Sequence, residues 1–163
     1  MRYAIRMVGL AFVLALSACD GGADADRFVG TWRPSGGALR TICPGGVERQ
    51  EAMTKDVVWT SGAGSDLVTI SSLMSCRLEA DVITDSAYVV PGHRCTESDG
   101  AGGTVSVSFA RYTFSIQPDG VTALENATGQ VTHLRGGEAT SCSFVAAGQY
   151  QRLDEATSDV AVR

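Results

Sequence analysis

The sequence predicts an all-β fold: eight to ten antiparallel strands in an up-and-down meander, closed into a small barrel with two disulfides. A two-sheet sandwich is the alternative. Three observations predict it. Apolar residues from Phe28 to Leu153 alternate with polar ones at a period of two, not at a helical period. Short Gly- and Asp-rich turns separate the alternating runs at hairpin spacing. One of the five cysteines lies close to the N-terminus, and the other four are enough for two bridges. A meander of this length removes its exposed edges best by closing on itself.

The elements follow in order. Phe28 to Arg33, Ala38 to Cys43, Val57 to Thr60, Leu67 to Ser72 and Ala87 to Val90 read as short strands. In "CRLEADV", Cys76, Leu78, Ala80 and Val82 alternate with Arg77, Glu79 and Asp81, giving one dry and one wet face. "TVSVSFARYTFSI" places Val105, Val107 and Phe109 on one parity and Tyr112, Phe114 and Ile116 on the other. That switch predicts a bulge near Ala110-Arg111 in a curved strand. "ALENATGQVTHL" is a weaker strand broken by Gly129, and "TSCSFVAAGQYQRL" puts Cys142, Phe144, Ala146, Gly148 and Tyr150 on one face. Glu48 to Lys55 fits either a polar strand or a short helical turn. Turns are expected at "SGAGSD" (Ser61 to Asp66), Thr84-Asp85, "QPDG" (Gln117 to Gly120) and "RGGE" (Arg135 to Glu138), with one long loop from Pro91 to Gly103. Trp59, at the end of its strand beside a turn, is expected to be only partly buried.

The N-terminus has three parts: Arg2 and Arg6, an uncharged and mostly apolar run from Met7 to Leu16, then Ser17-Ala18 before Cys19. This is the layout of a secretory signal, and the run is well short of the ~20 residues that span a bilayer as a helix. Leu16-Ser17-Ala18-Cys19 resembles the lipobox of bacterial lipoproteins. The resemblance implies cleavage between Ala18 and Cys19, with acyl chains on Cys19 holding the mature protein to the lipid bilayer. It also implies an exported protein on the outer face of the inner membrane or on the outer membrane. Asp20 is similar to the residue that retains some lipoproteins at the inner membrane. The expected organisation is a signal peptide over 1–18, the lipidated Cys and a flexible tether over 19–27, a barrel domain over 28–153 and a loose tail over 154–163.

The leader carries two of the 13 basic residues and none of the 18 acidic ones, leaving 11 against 18, a formal charge of −7. Basic residues are not clustered and Lys55 is the only lysine, so neither nucleic acid nor anionic lipid headgroups are expected partners. Export agrees with the even set Cys43, Cys76, Cys95 and Cys142. The favoured pairing is Cys76–Cys95 and Cys43–Cys142. The first pair flanks a hairpin, and the second ties an early strand to the last one. "HRC" (His93 to Cys95) suggests a metal, but the spacings match no zinc pattern and His133 is isolated, so no metal and no cofactor are expected.

"FVGTW" resembles the Gly-x-Trp opening of lipocalins, with Gly30 and Trp32 at the matching positions. The resemblance implies a lipocalin-like barrel whose Trp lies at its floor under an arginine from beyond the last strand, here Arg152. The family's later Thr-Asp-Tyr motif is missing. No nucleophile elbow or Ser-x-x-Lys occurs, Glu79 and Asp81 lie on a wet face, and Glu125 and Glu138 sit beside turns, so no enzyme is expected. His133 follows an alternating stretch and fits either an inward position in the barrel or a satisfied core or rim residue. The expected role is a binding module for a small apolar or amphipathic ligand lined by Phe109, Tyr112, Phe114, Phe144 and Tyr150. The alternative is a structural or assembly lipoprotein of the envelope with a filled barrel and a protein partner.

Overall fold

In the computed structural model the described residues are 22–70 and 76–153; the leader, Cys19 and the tail from 154 lie outside them. One helical turn, α1 (Gly22–Ala25), precedes the strands. These are β1 (Gly30–Cys43), β2 (Val47–Ala52), β3 (Val57–Ser61), β4 (Leu67–Ile70), β5 (Arg77–Ile83), β6 (Ser86–Val89), β7 (Arg94–Ser98), β8 (Thr104–Ile116), β9 (Thr122–Arg135) and β10 (Glu138–Leu153). Eight of them form a closed antiparallel ring in the order β1-β3-β4-β5-β6-β8-β9-β10, with β10 returning to β1. The closing register puts Thr31 opposite Leu153, Trp32 opposite Arg152 and Gly37 opposite Gly148, as barrel closure requires.

The ring has walls of unequal height. β1, β8, β9 and β10 run 13 to 16 residues, whereas β3 to β6 run four to seven. The short strands meet only the Trp32 end of β1 and the Tyr112–Ser115 half of β8. Above them β2 pairs with Ala38–Cys43 of β1, and β7 pairs with Thr104–Ser108 of β8. The upper half is therefore a curled sheet, β2-β1-β10-β9-β8-β7, standing over a closed lower barrel.

Several sequence expectations change in detail. The expected strands Phe28 to Arg33 and Ala38 to Cys43 merge into one, β1, which starts only at Gly30 and carries a register shift between Pro34 and Gly36, where proline has no N–H for the ladder. The polar stretch after Pro44 is a strand, β2, with every residue exposed. The expected long loop contains β7, whose polar sequence RCTES shows no apolar period because it is an edge strand. β9 runs unbroken through Gly129. A Cβ there would overlap the Ser108 carbonyl oxygen and come within 2.8 Å of the Phe144 ring, so this glycine permits close packing and does not end the strand. The bulge in β8 falls between Phe109 and Arg111, as the parity switch requires. The hairpin at Thr84-Asp85 has the expected register, Ala80 opposite Val89 and Asp81 opposite Tyr88.

The expected tether is structured where it is described, from Gly22 onward. Gly22–Ala25 is helical, Ala25 and Phe28 are buried, and Arg27 pairs with Asp85 across the bottom of the barrel. Two apolar side chains within four residues are enough to dock this stretch on the barrel floor. Above it the closed half is packed with rings: Trp32, Trp59, Tyr112, Tyr150, Phe28, Phe109 and Phe114 are all fully buried. Trp59 is thus not partly exposed. It lies mid-strand in β3 with its ring edge-on to Tyr112 and Phe114, at centroid distances of 6.4 and 5.8 Å.

Candidate functional site: an apolar cup at the open end

Strand parity decides which side chains enter the barrel, and strand length decides how far up they reach. In the upper half the inward residues of the long wall have no short wall opposite. They enclose a concavity of about 640 Å³, within the ~300–1,000 Å³ range of small-molecule sites. Leu39, Val105, Val107, Val131 and Phe144 supply its apolar surface, while Arg49 and Glu51 of β2 and His133 of β9 add polar groups. Arg49 lies opposite Thr41 and Glu51 opposite Leu39, so both charges project from the edge strand beside the apolar floor. Such a lining suits a molecule with an apolar body and a polar end.

The Cys43–Cys142 disulfide forms part of the cup wall. It joins β1 to β10 with a Cα–Cα distance of 4.2 Å. The second bridge, Cys76–Cys95, ties the start of β5 to β7. Both pairs are those expected from sequence. Of the five aromatic residues expected to line a ligand, only Phe144 faces the cup; Phe109, Tyr112, Phe114 and Tyr150 fill the closed half. Phe109 packs edge-on to Phe144 at 5.8 Å and so seals the cup from the core beneath. Alternation in the sequence reports the face of a strand and not the height along the barrel, which is why all five read alike.

At the opposite end, Arg152 stacks over Trp32 with its guanidinium carbon 5.6 Å from the ring centroid. Its Nη2 donates to the Val29 carbonyl at 2.8 Å and its Nη1 to the Arg27 carbonyl at 3.2 Å. The Trp32 indole N–H donates to the Phe28 carbonyl at 2.8 Å. Arg152 therefore clamps the incoming chain against the barrel floor. It does so from within β10, not from beyond the last strand.

One buried group departs from its sequence reading. Glu125 sits mid-strand in β9, opposite Gly148 and Phe114, and points into the closed half at 1% exposure. It is not beside a turn. The signal lay in the parity of Ala123, Glu125 and Ala127. The Tyr150 hydroxyl donates to Glu125 Oε2 at 2.6 Å, and among the described residues the buried Tyr112 hydroxyl and Glu125 Oε1 have no hydrogen-bond partner. Burial raises the Glu125 carboxyl above its ordinary value, with the Tyr150 hydroxyl opposing that rise, and burial likewise raises the Tyr112 phenol. For an acid shifted upward, the favourable contribution to stability is fully present below the unfolded value of about 4.3. It is lost as pH rises through the raised folded value. Glu125→Gln keeps an acceptor for Tyr150 and removes the ionisation. Its melting temperature is therefore expected to fall less than that of the natural chain between pH 4 and pH 8. Parallel curves in a thermal scan would contradict a buried, pH-linked Glu125.

No protein-family model, no curated protein and no solved structure matches this chain, so its site is defined by the geometry of the cup alone.

Proposed function

We propose that the protein is an exported lipoprotein, anchored to a bilayer through acyl chains on Cys19, that binds a small apolar or amphipathic ligand in the cup. The observation that carries this reading is the apolar concavity of about 640 Å³ at the open end, edged by Arg49, Glu51 and His133. The lipobox-like segment from Leu16 to Cys19 and the two disulfides support export. The chain enters at the Trp32 floor, and β1 then rises for 14 residues toward Cys43, about 45 Å of strand at ~3.3 Å per residue. An anchor at Cys19 thus holds the closed end toward the membrane and turns the cup to the aqueous side. The ligand then reaches the cup from solution or from another carrier, not by sliding up from the protein's own bilayer.

Two measurements test this reading. Cys19→Ser is expected to abolish acylation and leave the chain soluble or unprocessed. Flotation with lipid of a form of that variant that has lost its leader would overturn the anchor. The acyl-free variant then serves for binding: an environment-sensitive naphthylamine probe should gain fluorescence with the natural cup. It should lose that gain in Val105→Glu, which puts a carboxylate on the apolar wall. Long-chain amphiphiles should displace the probe. A folded protein that leaves the probe dark favours the assembly role instead, a reading supported by the ring-filled closed half and the exposed edge strand β2.

A further inference from the structure

A second cluster of chemistry lies outside the cup, where β5 meets β7. Cys76 precedes β5, His93 and Cys95 flank Arg94 at the start of β7, and their three ligand atoms all lie within 4.8 Å of one another. His93 is far from free to wander. The Phe109 N–H donates to its carbonyl at 2.9 Å, and its own N–H donates to Val90 at 3.2 Å, so β8 fixes the backbone that carries the imidazole. His93 Nε2 stands 3.6 Å from Cys95 Sγ. A tetrahedral zinc ion with bonds of about 2.3 Å to sulfur and about 2.0–2.1 Å to nitrogen has a sulfur–nitrogen edge of about 3.5 Å. The imidazole thus already stands at ligand spacing from the sulfur. Cys76 is 2% exposed while His93 and Cys95 are half-buried, so the trio is backed by the core and open to solvent on one side.

We propose that Cys76, His93 and Cys95 in their dithiol state form a three-ligand site for a thiophilic d10 cation such as Zn²⁺, mutually exclusive with the Cys76–Cys95 disulfide. Opening the site takes two electrons and two protons from a dithiol reductant, which becomes a disulfide as the Cys76–Cys95 bond breaks. The cation then displaces both thiol protons, and two thiolates balance its charge. In the disulfide state His93 Nε2 donates to the Arg77 carbonyl at 3.0 Å. In the metal state that proton resides on Nδ1, Nε2 turns to the cation, and a fourth position faces water. Sequence spacing could not reveal the site, because Cys76 reaches the other two only through the β5–β6 hairpin and the turn before β7.

Cobalt(II), which reports thiolate ligation in its absorption, is the probe. The full chain is reduced anaerobically with a phosphine, freed of it, and titrated. One equivalent of cobalt with thiolate charge-transfer bands is expected, retained in Cys142→Ser and abolished in Cys76→Ser. His93→Ala should weaken binding by more than the roughly 10–100-fold that follows loss of an outer-shell partner. His93 lies on the rim of the fold, so this variant remains informative even where a cysteine variant unfolds. Absence of the bands, their persistence in Cys76→Ser, or unchanged affinity in His93→Ala overturns the proposal.

Discussion

Trp32→Ala should be among the most damaging single changes in this chain, costing about 3–5 kcal/mol. Trp32 is fully buried and lies edge-on to Phe114 with a centroid distance of 5.5 Å. It also bonds the Phe28 carbonyl and supports the Arg152 guanidinium. Truncation leaves a cavity beneath the rings of the closed half and removes the surface on which Arg152 rests. In a domain of ordinary stability, about 5–15 kcal/mol, such a loss lowers the melting temperature by roughly 10–20 °C. Arg152→Ala should act in the same direction and less strongly, since it removes a cation–π contact worth ~0.5–2 kcal/mol and two hydrogen bonds to carbonyls while leaving the indole buried. Trp59→Ala belongs with Trp32→Ala, because Trp59 is equally buried. Asp24→Asn on the exposed side of α1 is the control and should stay within about 0.5 kcal/mol. Urea unfolding followed by tryptophan fluorescence and by circular dichroism ranks the four. A Trp32 variant as stable as Asp24→Asn would mean that the floor does not hold the barrel shut.

Much of the architecture was legible because it rests on period-two alternation and turn chemistry. The β8 bulge could be read from the switch between Phe109 and Tyr112, and the β5–β6 register from Thr84-Asp85. Closure could be read from the need to remove two edges, and it set Trp32 beside Arg152. What the sequence hid has one common cause: strands of unequal length. Alternation is the same whether a residue faces a wall or an opening, so Phe144 in the cup and Tyr150 in the core looked identical. The cup depends on β3 to β6 ending early and on the polar edge strands β2 and β7, which carry no apolar signal. Glu125 was misplaced for a related reason. A charged residue among small ones suggests a turn until its neighbours on the adjoining strands are known.

Loss of the Cys43–Cys142 bridge is the second large effect expected. Its partners are 99 residues apart, against 19 for Cys76–Cys95. A cross-link restricts the unfolded chain according to the loop it closes, which gives about 4.7 kcal/mol for a loop near 100 residues and about 3 kcal/mol for a short one. Cys43→Ala/Cys142→Ala should therefore cost about 1.5 kcal/mol more than Cys76→Ala/Cys95→Ala. The folded barrel itself should change little, because β1 and β10 remain paired from Thr31–Leu153 up to Ile42–Ser143 without the bridge. Stability and binding should then separate. The first double variant unfolds at much lower urea concentration, yet at low temperature it still brightens the cup probe, since the apolar floor of Leu39, Val107 and Phe144 is intact. Equal losses from the two bridges, or the reverse order, would show that the stabilisation arises in the folded state. In that case Cys43–Cys142 would act mainly by shaping the cup wall, and the probe signal would fall together with the stability.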